Sequence, residues 1–431
     1  MKNKKLLKNP FLLFLPLLIF YLILILLFSF DNILIGDQTR YLSYAKNLLN
    51  GYYSPPAPNI DLGNGPGYPI FLTPFVALKS PLLFIKLMNG VFYYFSTVFL
   101  YKSLQQVVTN RFALIFSLIW AFYPTFYEQM IFVLPEVFAS SLIPLLIFLV
   151  LKIFKTNNGL INKKYLAFGG FVLGYLALTK PIFGYVIMVM MPAMAFLWLL
   201  NKRSLNYKKG VLILIFSLVT TLPYLIYTFN LTGKIFYWSS FGGNNLYWMS
   251  TPYEGEYGSW HPDFYDPNIK QSVPGSEELI RKHHQIAFDV IAKYKGVEQD
   301  NRLKKLAIKN IEKYPLKFLK NCVSNAGRII FNFPYNYETQ KPGTLRRLPI
   351  NGTILIFALF CLIPTLINWK NIPFPIKFLL FFALLYFCGS LLGSAENRMF
   401  VMGVSVLLLW IAYILERTVK IKLNIDNTPN C

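Results

Sequence analysis

The chain returns again and again to apolar runs of about 18–20 residues, the length a helix needs to cross the hydrocarbon of a bilayer. No other feature constrains its fold as strongly. A backbone in lipid must satisfy its own hydrogen bonds, so such runs become helices. Window reading places about ten of them, near residues 10–29, 82–101, 111–127, 132–151, 165–180, 182–200, 210–229, 350–368, 376–393 and 399–415. The 431 residues are 55% hydrophobic, 17% aromatic and only 14% charged. A soluble domain carries about 25% charged residues. The sequence therefore predicts an all-α polytopic membrane protein. The first run follows basic residues 1–8 and continues into SFDN, so it reads as a retained span and not as a cleaved signal.

Lysine and arginine set the orientation. Lys2, Lys4, Lys5 and Lys8 precede the first run, and Lys102, Arg111, Lys155, Lys163, Lys164, Lys202, Arg203, Lys208, Lys209, Lys370, Lys377, Arg417, Lys420 and Lys422 fall in loops of the same parity. The alternate short loops near 128–131 and 394–397 carry Glu128 and Glu396 with little basic charge around them. Both termini are expected in the cytoplasm, with the chain in a bacterial plasma membrane. Residues 30–81 and 230–349 then lie outside. The expected organisation is an N-terminal membrane part (1–229), an extracytoplasmic part (230–349) and a C-terminal membrane part with a cytoplasmic tail (350–431). Helices are expected near 276–295 and 300–331. In the second, Leu303, Leu306, Ala307 and Ile311 share a face, which suits either a helix lying on an anionic membrane or an ordinary packed helix.

Several chemistries are disfavoured. Cys322, Cys361, Cys388 and Cys431 are scattered, with no CxxC pair. His283 and His284 are adjacent, and neighbours on a helix point to different faces, so they make a poor chelate. There is no phosphate loop and no HExxH, and no cofactor or metal is expected. The net charge of +23 suits anchoring against anionic lipid, and nucleic acid is not expected as a partner.

Five stretches remain that could carry chemistry. GDQTRYLSYAKNLLNG (36–51) places Asp37, Tyr41, Tyr44 and Leu48 at helical spacing, and Asn50-Gly51 forms a stop. Asp37 could be an N-cap, a catalytic carboxylate, or both. DLGNGPGYPIFLTPF (61–75) is dense in Gly and Pro and reads as a tight structural re-entry. In LPEVFASSL (134–142), Pro135 suits a helix's first turn, and Glu136 is a carboxylate at the edge of an apolar span. Lys180, in LALTKPIFGY, breaks the positive-inside trend; it either snorkels to headgroups or seats a phosphate. SAENRMF (394–400) brings Glu396 and Arg398 between the last two runs. Arg suits phosphate through its planar fork, though a surface pair is the plainer reading.

In their order along the chain these stretches, with NLTGKIFYWSSFGGNNLYW (230–248), resemble the GT-C polyprenyl-phosphate-sugar glycosyltransferases. The likeness is greatest to the family-39 group, which includes protein O-mannosyltransferases and the lipid A aminoarabinose transferase. The resemblance implies a GT-C-like bundle of about ten transmembrane helices with outer juxtamembrane helices and a small extracytoplasmic domain. It implies a single sugar moved from a polyprenyl phosphate to a hydroxyl of a glycan, lipid or protein acceptor, with inversion. Asp37 occupies the place of the family's catalytic base. Many members have a second carboxylate directly after it, whereas this chain has Gln38. That leaves Glu136, or failing it Glu128, as the second acidic residue. Lys180 and Arg398 would hold the donor phosphate. Arg40, Tyr41, Tyr68, Glu128 and Glu396 could contact substrate. The competing readings are a glycan polymerase or ligase using a lipid diphosphate, a lipid-linked-sugar transporter, and a membrane scaffold.

Overall fold

The computed structural model describes residues 9–29, 34, 36–155, 162–261, 273–338 and 342–418. Lys2, Lys4, Lys5, Lys8, Lys420 and Lys422, on which the orientation partly rests, lie outside them. No strand occurs among the described residues.

The N-terminal run forms Pro10–Leu13 (α1) and Leu15–Phe28 (α2), followed by Asp37–Leu49 (α3) and Gly67–Ala77 (α4). Leu82–Leu104 (α5), Asn110–Ala121 (α6), Pro124–Gln129 (α7) and Pro135–Phe154 (α8) come next. Lys163–Thr179 (α9), Ile182–Leu200 (α10) and Leu205–Thr232 (α11) follow. Gly242–Met249 (α12), Ser276–Lys293 (α13), Gly296–Lys313 (α14) and Pro315–Phe331 (α15) form a separate stretch. Pro342–Ile367 (α16), Phe374–Leu392 (α17) and Val401–Thr418 (α18) end the described chain.

Among the described residues seven helices are long and apolar enough to cross a membrane: α5, α8, α10, α11, α16, α17 and α18. The sequence expected about ten. Of the other three, residues 10–29 divide at Phe14 and leave a longer piece of 14 residues. The expected run 111–127 breaks after Ala121, because Pro124 cannot continue a helix. The carbonyls freed there are taken up by tyrosines: Tyr93 donates to Trp120, and Tyr21 and Tyr127 to Ala121. The run near 165–180 becomes α9, of 17 residues. Its Gly170 and Gly174, four apart, let it close on α11, where a Cβ would come 2.3 Å from Phe216 and 2.6 Å from Ser217.

The helices differ in how they meet lipid. In α8 and α18, 72% of the spanning window is buried inside the protein, against 22% in α16. The first two are therefore central and the last peripheral. The expected helix over 300–331 is two helices, broken where Pro315 follows Tyr314. Leu303 and Ala307 pack inward with Tyr247, Trp248 and Ala287, so their face is a core face and not a membrane face.

Candidate active site

Asp37 opens α3, but not as its cap. Gly36, at φ 60°, holds that position, and the Asp37 carboxylate makes no capping bond. It turns instead to two guanidiniums. Arg398 Nη2 lies 3.2 Å from Oδ2, and Arg40 Nη2 lies 3.4 Å from Oδ1. The helix is pinned by its apolar face, where Tyr41, Tyr44 and Ala45 are buried, and by Gln38, whose Oε1 accepts the Val133 amide at 2.9 Å. Gln38, the residue after Asp37, therefore docks α3 onto the segment that leads into α8. As expected, α3 stops at Asn50-Gly51, with Gly51 at φ 85°.

Pro135 takes the first turn of α8 as the sequence predicts, and Glu136 beside it is 2% exposed. A carboxylate there faces the positive end of the helix. Its Oε1 also accepts Lys180 Nζ at 2.7 Å and lies 3.2 Å from Arg398 Nη1. Lys180 ends α9 and is itself buried. The Gly-Pro re-entry sets it there, since a Cβ at Gly65 would lie 2.0 Å from the Leu178 carbonyl. Only glycine lets the two segments approach this closely.

Arg398 is the hub. It sits in the short 3-10 turn Asn397–Met399 and reaches Asp37, Glu136 and Glu396, the last at 3.0 Å from Nε but not aligned as a hydrogen bond. Burial opposes its charge, yet the Glu136, Glu396 and Asp37 carboxylates outweigh that and raise its pKa further above the ordinary guanidinium value. The cluster is balanced, with Asp37, Glu136 and Glu396 facing Arg40, Lys180 and Arg398. Asp37 and Glu136 differ in access. The Asp37 side chain is 30% exposed and that of Glu136 only 3%.

The structure brings Asp37, Glu136, Lys180, Arg398, Arg40 and Glu396 into one network. Tyr41 joins through Asn64, whose amide donates to its hydroxyl at 2.6 Å and accepts from Arg40 at 3.1 Å. Burial, then the Glu136 and Asp37 charges, raise the Tyr41 pKa well above its ordinary value, so it stays protonated. Tyr68 packs edge-on to Tyr41 at 5.4 Å. Glu128 is engaged elsewhere, by Arg347, so Glu136 is the second acid of the cluster. Arg40 also lies 4.7 Å over the Phe241 ring, which ties the aromatic segment to α3. That segment mostly packs: Trp238 is fully buried and its indole lies against Gly184.

Two sets of residues lay beyond the sequence reading. Asn325 on α15 donates to the Ser390 and Gly393 carbonyls at 3.0 and 2.7 Å and accepts from the Ala395 amide at 3.2 Å. It thereby fixes the loop that carries Arg398. Asn325 and Arg328 lie on the buried face of an amphipathic helix that also carries Lys317 and Lys320, and that placement was the available signal. The second set is the histidine pair with Glu256. The backbone of α13 kinks at His284 (φ −115°, ψ 17°), so both rings reach one carboxylate. His283 Nδ1 and His284 Nε2 each lie 2.9 Å from Glu256, which Thr251 and Tyr337 also contact. Burial alone would raise the Glu256 pKa, but His284, Thr251 and His283 hold it down at about 2. Among the described residues no group of three or more His, Cys, Asp or Glu is placed to hold a metal ion.

No family model matches the sequence, and no curated protein matches it. Solved structures do. The Archaeoglobus fulgidus oligosaccharyltransferase, tethered to an acceptor peptide, aligns with a TM-score of 0.54 at 14% identity over 94% of this chain and 49% of that one. Archaeal oligosaccharyltransferase AglB from the same organism, with an inhibitory peptide and a dolichol-phosphate, gives 0.52 at 13% over 94% and 50%. ArnT from Cupriavidus metallidurans, bound to undecaprenyl phosphate, gives 0.41 at 11% over 93% and 76%. The chain spans about half the length of the oligosaccharyltransferases. The fold is that of the GT-C membrane glycosyltransferases.

Proposed function

We propose that the protein is an integral membrane glycosyltransferase of the family-39 kind that moves a single sugar from a polyprenyl phosphate to a hydroxyl acceptor on the extracytoplasmic side. The observation that carries this reading is one arginine, Arg398, bridging a half-accessible carboxylate, Asp37, to a buried one, Glu136. Asp37 takes the proton of the acceptor hydroxyl as general base. The acceptor oxygen attacks the anomeric carbon, the bond from that carbon to the phosphate oxygen breaks, and the configuration inverts. The polyprenyl phosphate leaves with the bonding pair, and Arg398 stabilises its growing charge. Lys180 contributes from behind Glu136, and that buried pair holds Arg398 in place. Fixed cations supply what a metal would, so the step is proposed to need none.

The oligosaccharyltransferases among the similar structures support a second reading, in which a preassembled glycan is transferred instead of a single sugar. The donor decides between them. Purified protein in detergent, given radiolabelled polyprenyl-phosphate monosaccharides and a crude envelope acceptor, is expected to consume one of them. Consumption only of a lipid-diphosphate glycan would move the assignment to the second reading. Consumption of neither by folded protein would overturn both and favour a transporter.

A further inference from the structure

The ion network lies on one face of α3, and a cleft lies on the other. Asp37, Arg40, Tyr41 and Tyr44 fall on the network side at helical spacing, whereas Ser43 and Lys46 point the opposite way. There they meet the end of α4 and the start of α5 around a cleft of about 460 Å³. Lys46 and Lys79 both line it, with the hydroxyls of Ser43 and Ser80. Its walls are apolar, formed by Phe75, Val76 and Leu82 among others. Leu78, 78% exposed, and Phe84, 54% exposed, are chain neighbours of the lining residues Lys79 and Ile85. Leu82 is also the first residue of a helix fit to span the membrane.

Lys79 is held there at a cost. The end of α4 is a Schellman turn: the Ser80 amide donates to Phe75 and the Lys79 amide to Val76, at 2.9 and 3.1 Å. Glycine usually occupies the left-handed position of that turn, and here lysine does, at φ 49°. A residue with a Cβ is disfavoured in that conformation. Neither Lys79 nor Lys46 makes an ion pair among the described residues. Two unneutralised ammonium groups with hydroxyls beside them fit a phosphate, and the apolar walls fit the tail joined to it.

We propose that this cleft is a binding site for an anionic bilayer phospholipid, its phosphate between Lys46 and Lys79 and its chains along the walls and out over Leu78 and Phe84. A free phosphate would leave the apolar walls wet. A donor phosphate belongs on the opposite face of α3, beside Arg398. The choice of a bilayer lipid over the donor rests on the transferase reading, whereas the anion site itself concerns residues that reading does not use.

The test adds phosphatidylglycerol or phosphatidylcholine to the full chain in detergent and follows retention by native mass spectrometry and stabilisation by thermal unfolding. Wild type is expected to retain phosphatidylglycerol in preference to phosphatidylcholine. Lys46→Gln with Lys79→Gly is expected to weaken phosphatidylglycerol binding about thirtyfold. Lys79→Gly alone separates binding from folding, since relief of the left-handed backbone is expected to raise the lipid-free unfolding temperature by about 1–2 °C while the lipid-induced rise shrinks. Equal stabilisation of wild type and double variant would overturn the proposal, as would equal retention of the two lipids. Displacement of phosphatidylglycerol by equimolar polyprenyl phosphate would overturn the choice of a bilayer lipid and give the cleft to the donor.

Discussion

Two carboxylates in this molecule are wrapped in partners, and they are wrapped differently. Glu256 has no exposed side-chain surface, and both its oxygens are covered by His283, His284, Thr251 and Tyr337. All five residues lie in the stretch between α11 and α16. Asp37 keeps 30% of its side chain exposed and offers single contacts to Arg398 and Arg40. Its network is assembled from four distant parts of the chain, with Asp37 and Arg398 361 positions apart. A fully saturated, sealed carboxylate is a staple. A carboxylate held by charge but open on one side is placed to meet something. The buried Glu136–Lys180 pair serves the open site as the histidines serve Glu256, by fixing a neighbour.

This contrast can be broken at several points. Among the partners of Asp37 the largest effect is expected for Arg398→Gln, which should lower transfer by about 10²–10³-fold through loss of transition-state charge stabilisation. Arg398→Lys should recover little, because one ammonium cannot reach Asp37 and Glu136 together as the planar fork does. Steady-state transfer rates check both, and near-normal activity of either variant would remove Arg398 as the hub. Glu256→Gln should do the reverse. It is expected to cost about 2–3 kcal/mol of stability, read by thermal unfolding, with the turnover of folded protein unchanged within about twofold. A large fall in turnover at unchanged stability would make Glu256 part of the chemistry.

The same staple predicts a pH dependence. Glu256 is held at about 2 in the folded chain against an ordinary 4.5. The unfolded chain therefore takes up the proton more readily, and acid favours unfolding. The contribution of Glu256 is complete above about pH 4.5 and is lost as pH falls towards 2. Wild type is expected to lose unfolding temperature over that window more steeply than Glu256→Gln, and parallel curves would contradict the assignment. The smallest effect is expected at Gln38. Gln38→Ala leaves the buried Val133 amide without this acceptor and should cost about 1–2 kcal/mol, with transfer reduced only modestly.

The membrane helices were legible because a 3.6-residue period is not needed to recognise a run that is apolar all round. Pro124 and Pro315 cut two expected helices, and both breaks could have been anticipated from proline chemistry. Asp37, Glu136, Lys180 and Arg398 were legible as candidates because each is a charge where apolar runs end. Their pairing was not. Nothing local says that Lys180 answers Glu136, or that Glu128 belongs to Arg347 across 219 residues. The cap at Gly36 and the kink at His284 are backbone features that tertiary packing imposes, and they decided the fate of Asp37 and of the histidine pair. Asn325 was hidden for a similar reason: an asparagine on an amphipathic helix looks solvated until a loop is found beneath it.

In the proposed reaction Asp37 is the base, and the charges around it position it and the leaving group. The most direct measurement compares wild type with Asp37→Asn, in parallel, for sugar release from the lipid donor and for unfolding temperature. A loss of transfer of about 10²–10⁴-fold is expected, with the unfolding temperature nearly unchanged, because the amide keeps the shape and loses the base. An Asp37→Asn protein that transfers sugar at the wild-type rate would contradict it.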